Sequence, residues 1–171
     1  MVVDAIADDA KEPRRLDLLY REYVGQLTRT AYLLTGDKQA AQDLAHEAFV
    51  RTSSRIYTLR NPEAFGAYVT RVVVNLCKRH RSRRFLERRH LEQQAHNVSA
   101  SEMQPDLEAK DEVVRCLRKL PHRQRAAIVL RYYADQSESQ IAQTLGCSTG
   151  NVKSLISRGL SKLRSELEPE R

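Results

Sequence analysis

Residues 137–158 read SESQIAQTLGCSTGNVKSLISR, and this stretch decides the fold of the C-terminal part of the chain. Ser137 with Gln140 three residues later is the pattern of a capping box that starts a helix. Gly146 falls where a tight turn between two helices needs a positive φ, and Ser148 can cap the helix that follows. Small or apolar residues occupy the positions where the two helices would meet: Ile141, Ala142, Leu145 and Val152. The pattern predicts a helix-turn-helix from Glu138 to Arg158.

The second helix of this motif, expected over Thr149–Leu167, separates into two faces. The predicted inward stripe is Val152, Ile156, Leu160, Leu163 and Leu167. The predicted outward residues are Ser148, Thr149, Asn151, Lys153, Ser154, Ser157 and Arg158. Short polar residues followed by cations suit a helix that enters the major groove of DNA. The alternative is an ordinary helical hairpin with a solvated polar face.

Further helices are predicted throughout the chain, because apolar residues recur at steps of three and four. The expected ranges are Leu16–Leu34, Asp37 to about Ile56, Pro62 to near Arg84, Leu107–Lys119, Pro121–Ala134 and Glu138–Leu145. Gly36 is expected to end the first helix and Asp37 to cap the second. The buried face of the second helix is predicted to be Ala41, Leu44, Ala45, Ala48 and Phe49. The predicted fold class is all-α.

The charge pattern predicts two small helical domains joined by a flexible linker. The 171 residues carry a net charge of +7, of which 16–90 contribute +7 and 111–171 contribute +4, around an acidic segment of −3 at 91–110. Residues 91–106 lose the helical periodicity and are polar and small. We therefore expect an N-terminal tail at 1–15, a first domain at 16–90, a linker at 91–106 and a second domain at 107–171. Two basic blocks favour a polyanion as a partner.

A basic tract follows the third predicted helix and holds seven Lys or Arg in the twelve residues 78–89. Basic side chains supply affinity for phosphates, and an Asn such as Asn75 can bind a base edge. The aromatic residues Phe65 and Tyr68 can stack on unpaired bases. The alternative is a solvated basic tail. The second helix instead combines Gln42, Asp43, His46, Glu47 and Arg51 with apolar neighbours, which suits a protein partner or an ordinary amphipathic surface.

Several classes of protein have little support in the sequence. The three cysteines, Cys77, Cys116 and Cys147, are far apart and predict neither disulfides nor a zinc site, so buried structural thiols in a reducing cytoplasm are expected. The acidic N-terminus does not resemble a signal peptide, and no apolar run is long enough to span a bilayer. No phosphate-binding loop or nucleophile motif is present, so we expect no enzyme activity, cofactor or metal.

Taken together, these segments resemble sigma factors of the sigma-70 family, specifically the extracytoplasmic-function (ECF) class. Residues 16–89 resemble region 2 and residues 107–167 resemble region 4. The segments that carry the resemblance are Ala41–Phe49, Pro62–Leu76, Leu120–Arg125, Val152–Ser154 and Ser157–Leu160. Each alone would be only suggestive, and together they are specific.

The resemblance implies a factor that binds core RNA polymerase and directs it to promoters. Its expected partners are the polymerase β′ clamp helices and β flap, and promoter DNA. Members of the family are often held by an anti-sigma factor, and the sequence leaves open whether this chain has such a partner. Residues implied to bind the polymerase are Asp43, Leu44, Glu47 and Phe49. Residues implied to bind the −10 element are Arg71, Asn75, Lys78, Arg79, Arg81, Arg83 and Arg84. The loop implied to hold a flipped base contains Thr58, Leu59, Arg60 and Asn61, and the outward residues of the helix-turn-helix are implied to bind the −35 element.

Leu155 departs from the family pattern, because many relatives have arginine after the Val-Lys-Ser segment. A leucine cannot donate a hydrogen bond to guanine or phosphate. It can contact a thymine methyl group or pack against the protein, and the sequence leaves both open. It also leaves open whether the two domains pack together in the free protein.

A different class, a helix-turn-helix repressor or activator, explains residues 137–164 equally well. Its N-terminal half would then serve dimerisation or sensing. That hypothesis does not explain the basic tract or the docking face of the second helix. Dependence on core RNA polymerase distinguishes the two classes.

Overall fold

The computed structural model describes residues 12–56, 64–95 and 112–167 of the chain. In these ranges the chain forms seven helices and no strand. They are α1 (Glu12–Thr35), α2 (Lys38–Ser53), α3 (Ala64–Ala95), α4 (Glu112–Arg118), α5 (His122–Tyr132), α6 (Glu138–Leu145) and α7 (Thr149–Leu167). The predicted all-α fold class is confirmed.

Helices α1, α2 and α3 form an N-terminal bundle, because each buries one apolar stripe against the others. The five predicted buried residues of α2 all lie in the core, with Ala41, Ala45 and Ala48 fully enclosed. Aromatic rings join the three helices edge to face. Tyr20 lies 5.0 Å from Phe49 and Tyr23 lies 5.6 Å from Phe65, measured between ring centroids.

Phe65 belongs to this core, and the prediction that it stacks on bases is wrong. Its side chain is 1% exposed and its ring meets that of Phe49 at 5.8 Å between centroids. Burial of a phenyl ring against other aromatic rings is more favourable than its exposure to water. Tyr68 remains partly exposed, with the guanidinium of Arg55 over its ring.

The turn between α1 and α2 follows the sequence prediction. Gly36 has φ of 76°, a conformation that favours glycine. Asp37 caps α2, since one of its carboxylate oxygens accepts a hydrogen bond from the backbone N–H of Ala40 at 2.9 Å. Its other oxygen lies 3.3 Å from a guanidinium nitrogen of Arg84. A single carboxylate thus fixes the start of α2 and connects it to α3.

Helix α3 extends further than the sequence predicted. It was expected to end near Arg84, but it continues to Ala95, five residues into the predicted linker. Residues 85–95 contain no Gly or Pro and are rich in good helix formers. Arg83 and Glu87 also form an ion pair across one turn at 3.6 Å. The remainder of the predicted linker, 96–106, lies outside the described residues.

Several other boundaries differ by a few residues from the predictions. Helix α4 ends at Arg118 rather than at Lys119, and its predicted start at Leu107 lies outside the described residues. Helix α1 begins at Glu12 rather than at Leu16. Helix α2 ends at Ser53, and Ile56 is buried in the turn beyond it. Helix α5 spans His122–Tyr132, with Pro121 at its N-cap position. The predicted start signal at Asn61, Pro62 and Glu63 lies outside the described residues.

The N-terminal bundle packs against the C-terminal helices α4, α5 and α6, and one side chain is central to this contact. Arg125 of α5 is 3% exposed. It donates hydrogen bonds to the carbonyl oxygens of Leu34 and Arg118, both at 2.6 Å, and of Leu120 at 3.1 Å. Leu34 lies in the last turn of α1, so this arginine joins the two halves of the molecule. One continuous cluster of buried apolar residues runs through both halves.

Candidate nucleic-acid and polymerase interface

The helix-turn-helix forms as the sequence predicts, with its turn and both caps in place. Ser137 accepts a hydrogen bond from the backbone N–H of Gln140, whose side chain accepts one from the backbone N–H of Ser137. Gly146 adopts φ 60° and ψ 52°, the left-handed conformation that ends α6. Ser148 accepts from the backbone N–H of Asn151 at 3.2 Å. These local interactions fix the angle at which α7 leaves the turn.

The buried stripe of α7 is rotated from the one predicted. Val152, Leu155 and Gly159 are buried, and Ile156 and Leu163 are partly buried. Leu160 and Leu167 are exposed, so their assignment to the inward stripe is wrong. The physical cause is close helix packing at Gly159, where an added Cβ would lie 2.6 Å from the side chain of Ile128 on α5. A larger residue at that position would push the helices apart.

Leu155 packs into the protein core. Its side chain is 6% exposed and belongs to the continuous apolar cluster. Of the two roles that the sequence left open, the structure supports packing. Leu155 therefore does not lie on the surface that α7 presents to solvent.

All seven residues implied to contact the −35 element are exposed. Several of their side chains bind their own motif in this structure. Ser154 donates to the carbonyl of Gly150 at 3.1 Å, and Arg158 donates to that of Ser154 at 3.2 Å. Lys153 lies 3.7 Å from the carboxylate of Glu138. These contacts are at the surface and weak enough to exchange for DNA contacts.

Helix geometry divides the basic tract of α3 into different faces. At about 100° per residue, Arg71, Asn75, Lys78 and Arg79 share one exposed face. Arg81 and Arg84 lie on another face, which points to the C-terminal helices. Arg83 follows Arg79 by one helical turn, so it continues the first face, and it pairs with Glu87. The structure thus brings five of the seven residues implied for −10 binding onto one side of α3, and places Arg81 and Arg84 apart from them.

The polymerase-binding residues also divide into two groups. Asp43 is exposed and Glu47 is half-buried, with Glu47 paired to Arg51 at 2.5 Å. Leu44 and Phe49 lie in the core at 8% and 4% exposure. The two carboxylates line an open groove of about 890 Å³ between α1 and α2. The loop residues Thr58, Leu59, Arg60 and Asn61 lie outside the described residues.

A shallow apolar floor accompanies these polar groove residues. Val24 of α1 and Val50 of α2 line the groove, and Val50 is 55% exposed. His46 also lines it, with its ring 6.1 Å from that of Tyr20. The groove therefore offers apolar contact beside charged groups, the mixture that the sequence predicted for the second helix.

Buried titratable groups lie away from the two candidate DNA surfaces. Burial raises the pKa of the Cys77 thiol to about 12, which keeps it protonated and unreactive. Cys116 is buried as well, while Cys147 is partly exposed. Burial, followed by the nearby charge of Arg125, lowers the pKa of His122 to about 4. His122 is therefore neutral at neutral pH.

Within the described ranges, no cluster of three or more potential ligands could hold a metal ion. A search of the same ranges also finds no helix long and apolar enough to cross a bilayer.

Arg125 is the residue that the sequence analysis missed. It was noted as part of the segment Leu120–Arg125, but no role was assigned to it. Cations are seldom fully buried, so an arginine within a helix is expected to face solvent. Its contact with Leu34, 91 residues earlier in the chain, could not be inferred from local spacing.

The fold and surfaces define a class of protein: a two-part helical DNA-binding protein with a helix-turn-helix in its second part. Family models identify it further. Residues 19–85 match sigma-70 region 2, and residues 110–163 match sigma-70 region 4. The chain belongs to the sigma-70 family, and its relatives include ECF RNA polymerase sigma factors.

Curated relatives support this assignment over nearly the whole chain. The RNA polymerase sigma-E factor of Streptomyces coelicolor is 35% identical over 88% of this chain and 86% of its own length. The ECF RNA polymerase sigma factor SigE of Mycolicibacterium smegmatis is 32% identical over 97% of this chain and 66% of its own length.

Two solved structures share the fold. The sigma factor RpoE of Bartonella quintana, in complex with the anti-sigma factor NepR, superposes with a TM-score of 0.68 at 19% identity, over 92% of this chain and 99% of that chain. CnrH, in complex with the cytosolic domain of CnrY, gives a TM-score of 0.67 at 21% identity, over 93% of this chain and 91% of that chain. The two-part helical fold is thus common to these proteins.

Proposed function

We propose that this protein binds core RNA polymerase and directs it to promoters by recognising their −10 and −35 elements, which enables promoter melting and initiation. The observation that carries the proposal is the presence, on one chain, of two separate exposed surfaces that combine polar and basic side chains. One is the outer face of α7, and the other is the face of α3 formed by Arg71, Asn75, Lys78 and Arg79. A simple repressor needs the first surface alone.

Helix α7 is the proposed reader of the −35 element. Its exposed N-terminal residues, Thr149 and Asn151, are short and polar and can reach base edges in the major groove. Lys153 and Arg158 lie further along the helix, where cations bind the flanking phosphates. Ser148, Ser154 and Ser157 complete the proposed contact surface.

Helix α3 is the proposed reader of the −10 element. Asn75 lies between Arg71 and Lys78 on one exposed face, so a base-edge contact would be flanked by phosphate contacts. Arg79, Arg81, Arg83 and Arg84 add positive charge that holds the strand. The residues Thr58, Leu59, Arg60 and Asn61 are proposed to receive one base flipped from the non-template strand.

The groove between α1 and α2 is the proposed docking site for the β′ clamp helices. Asp43 and Glu47 lie one helical turn apart and supply negative charge for the partner. Leu44 and Phe49 act indirectly, because they anchor α2 in the core and hold both carboxylates in place. The second domain is proposed to contact the β flap, as the region 4 resemblance implies.

The proposed organisation is a DNA- and polymerase-binding domain at 16–90, a linker at 91–106 and a second DNA-binding domain at 107–171. Tethering raises the effective concentration of the second domain once the first has bound. The protein acts in the cytoplasm, where RNA polymerase works, and its contribution is binding rather than catalysis.

An anti-sigma factor is a further proposed partner. RpoE of Bartonella quintana was solved with one, NepR. A partner that covers the α1–α2 groove or the face of α7 would prevent the binding events proposed above.

Dependence of DNA binding on core polymerase tests the proposal. A fluorescent promoter fragment is titrated with the protein alone, with core polymerase alone, and with both. We expect specific, heparin-resistant binding only with both components. Specific binding of duplex DNA by the protein alone, unchanged by polymerase, would instead support the repressor hypothesis.

A further inference from the structure

A small, strongly basic cavity lies between the two halves of the molecule. Its volume is about 270 Å³, and its walls come from the end of α1, the basic tract of α3, and helices α4 and α5. The cationic and histidine residues that line it are His80, Arg81, Arg84, Arg88, Arg118 and Arg125. No acidic side chain of the described residues lines the cavity.

Like charges meet at the cavity. The charges of Arg81 and Arg118 act on Arg125 and lower its pKa, because like charges held close together repel. Asp37 lies nearby and pairs with Arg84 at 3.3 Å. The closed packing of the two halves therefore brings guanidinium groups close together, and an anion among them would relieve their repulsion.

Arg125 shows this repulsion most directly. It is 3% exposed, and its hydrogen-bond acceptors are neutral backbone carbonyls. Its Nε atom is buried and has no hydrogen-bond partner among the described residues. Burial lowers its pKa to about 10, helped by the charges of Arg81 and Arg118. A buried cation whose hydrogen bonds in the described ranges go only to neutral carbonyls is costly.

His80 provides a second orphaned atom at the same cavity. Its Nε2 is also buried and without a hydrogen-bond partner in the described part of the chain. Burial, together with Arg84 and Arg83, lowers the pKa of this imidazole, which favours its neutral form. A neutral imidazole can donate one hydrogen bond to an anion from this nitrogen.

We infer that this cavity binds a small phosphate anion, of the size of inorganic phosphate or pyrophosphate, between the two domains. Guanidinium groups bind phosphate oxygens through paired N–H donors, and several can share one phosphate. The cavity holds the volume of roughly nine water molecules, which accommodates a diphosphate but not a continuous DNA strand.

Such an anion would favour the closed packing, because Arg118 and Arg125 belong to one domain and Arg81, Arg84 and Arg88 to the other. It would also compete with promoter DNA for Arg81 and Arg84, a consequence that rests on the proposed function. Anion binding itself does not rest on the proposed function, because it is measured without DNA or polymerase. Failure of one proposal is therefore distinguishable from failure of the other.

Calorimetric titration of the full chain with inorganic pyrophosphate, at ionic strength held constant with sodium chloride, tests the inference. We expect saturable binding of one anion per chain. Arg118→Gln and Arg88→Gln should each weaken it by about tenfold or more, equivalent to about 1.4 kcal/mol. Arg88 is exposed, so its substitution leaves the fold intact even if that of Arg118 does not.

Arg83→Gln is the matched control, since it removes the same charge from the same helix but outside the cavity. The affinity of this variant for pyrophosphate should stay within about twofold of that of the wild type. The inference would be overturned if no saturable binding were seen up to about 10 mM pyrophosphate. It would also be overturned if Arg88→Gln and Arg83→Gln lost affinity for pyrophosphate equally. A single-stranded oligonucleotide that binds through the same arginines while pyrophosphate does not would overturn it as well.

Discussion

Exposure separates side chains that can bind DNA from those that hold the helices together. Asn75 is exposed on the face of α3 that also carries Arg71 and Lys78. Leu155 lies on the helix proposed to read DNA, yet it is 6% exposed. The exposure of each side chain, rather than its position in a motif, therefore decides whether it is available to contact DNA.

Asn75→Ala should weaken use of the −10 element and leave polymerase binding unchanged. The amide can form two hydrogen bonds with a base edge, and a lost contact of this kind costs about 1–3 kcal/mol. Run-off transcription from matched promoters measures the first effect, and a pull-down with core polymerase measures the second. Unchanged transcription would refute the proposed role of Asn75.

Leu155→Ala should lower the free energy of unfolding by about 2–5 kcal/mol, because it leaves a cavity in the core. Leu160→Ala is the matched control on the same helix, and should cost much less because Leu160 is 37% exposed. Urea denaturation followed by circular dichroism measures both. Equal losses in the two variants would show that Leu155 is not a core residue.

At the scale of the helix, local signals were sufficient for some elements and insufficient for others. The bounds of α6 and the start of α7 agree with prediction, because a capping box, a left-handed glycine and a serine cap specify them. The end of α3 was placed eleven residues too early, since residues 91–106 lose the apolar periodicity, although 85–95 are rich in good helix formers. The stripe of α7 was shifted because close packing at Gly159 depends on α5.

Local sequence signals were likewise sufficient for some of the candidate site residues and insufficient for others. Their exposure on α7 followed from the pattern of that helix. The division of the basic tract between a proposed DNA face and an interdomain cavity did not, because it depends on where α4 and α5 lie relative to α3. Leu44 and Phe49 carry a family motif, yet burial leaves them a supporting part in the proposed docking surface.

Asp43→Ala combined with Glu47→Ala should weaken binding to core polymerase by about tenfold or more, since both carboxylates line the proposed docking groove. Asp17→Ala combined with Glu22→Ala removes the same charge from α1 at exposed positions outside the groove. Affinity for core polymerase, measured by fluorescence anisotropy, should fall only for the first pair. Similar affinities for both pairs would exclude the groove as the docking site.

At the scale of the whole molecule, packing of the two halves makes stability depend on pH. The pKa of His122 is lowered from 6.5 to about 4 in the folded protein, and positive neighbours include Arg125, Arg81 and Lys78. The unfolded chain therefore binds a proton more readily between these values. Stability is full above pH 6.5 and falls as the pH drops toward 4, by at most about 3 kcal/mol.

His122→Gln should flatten this pH dependence, because it removes the group that titrates. His90→Gln, an exposed position on α3, serves as the control and should keep the wild-type profile. Denaturant unfolding at a series of pH values from 7 to about 4 measures the slopes. A His122→Gln profile as steep as that of the wild type would contradict the assignment to His122.

The central claim, that two DNA-binding surfaces on this chain act together on polymerase, is tested most directly by in vitro transcription. Purified core RNA polymerase and this protein are combined on a library of promoter fragments. The account predicts specific run-off transcripts that require both components and share a −35 and a −10 sequence. If no transcript appears, while the protein alone shifts duplex DNA from the same library, the account is contradicted.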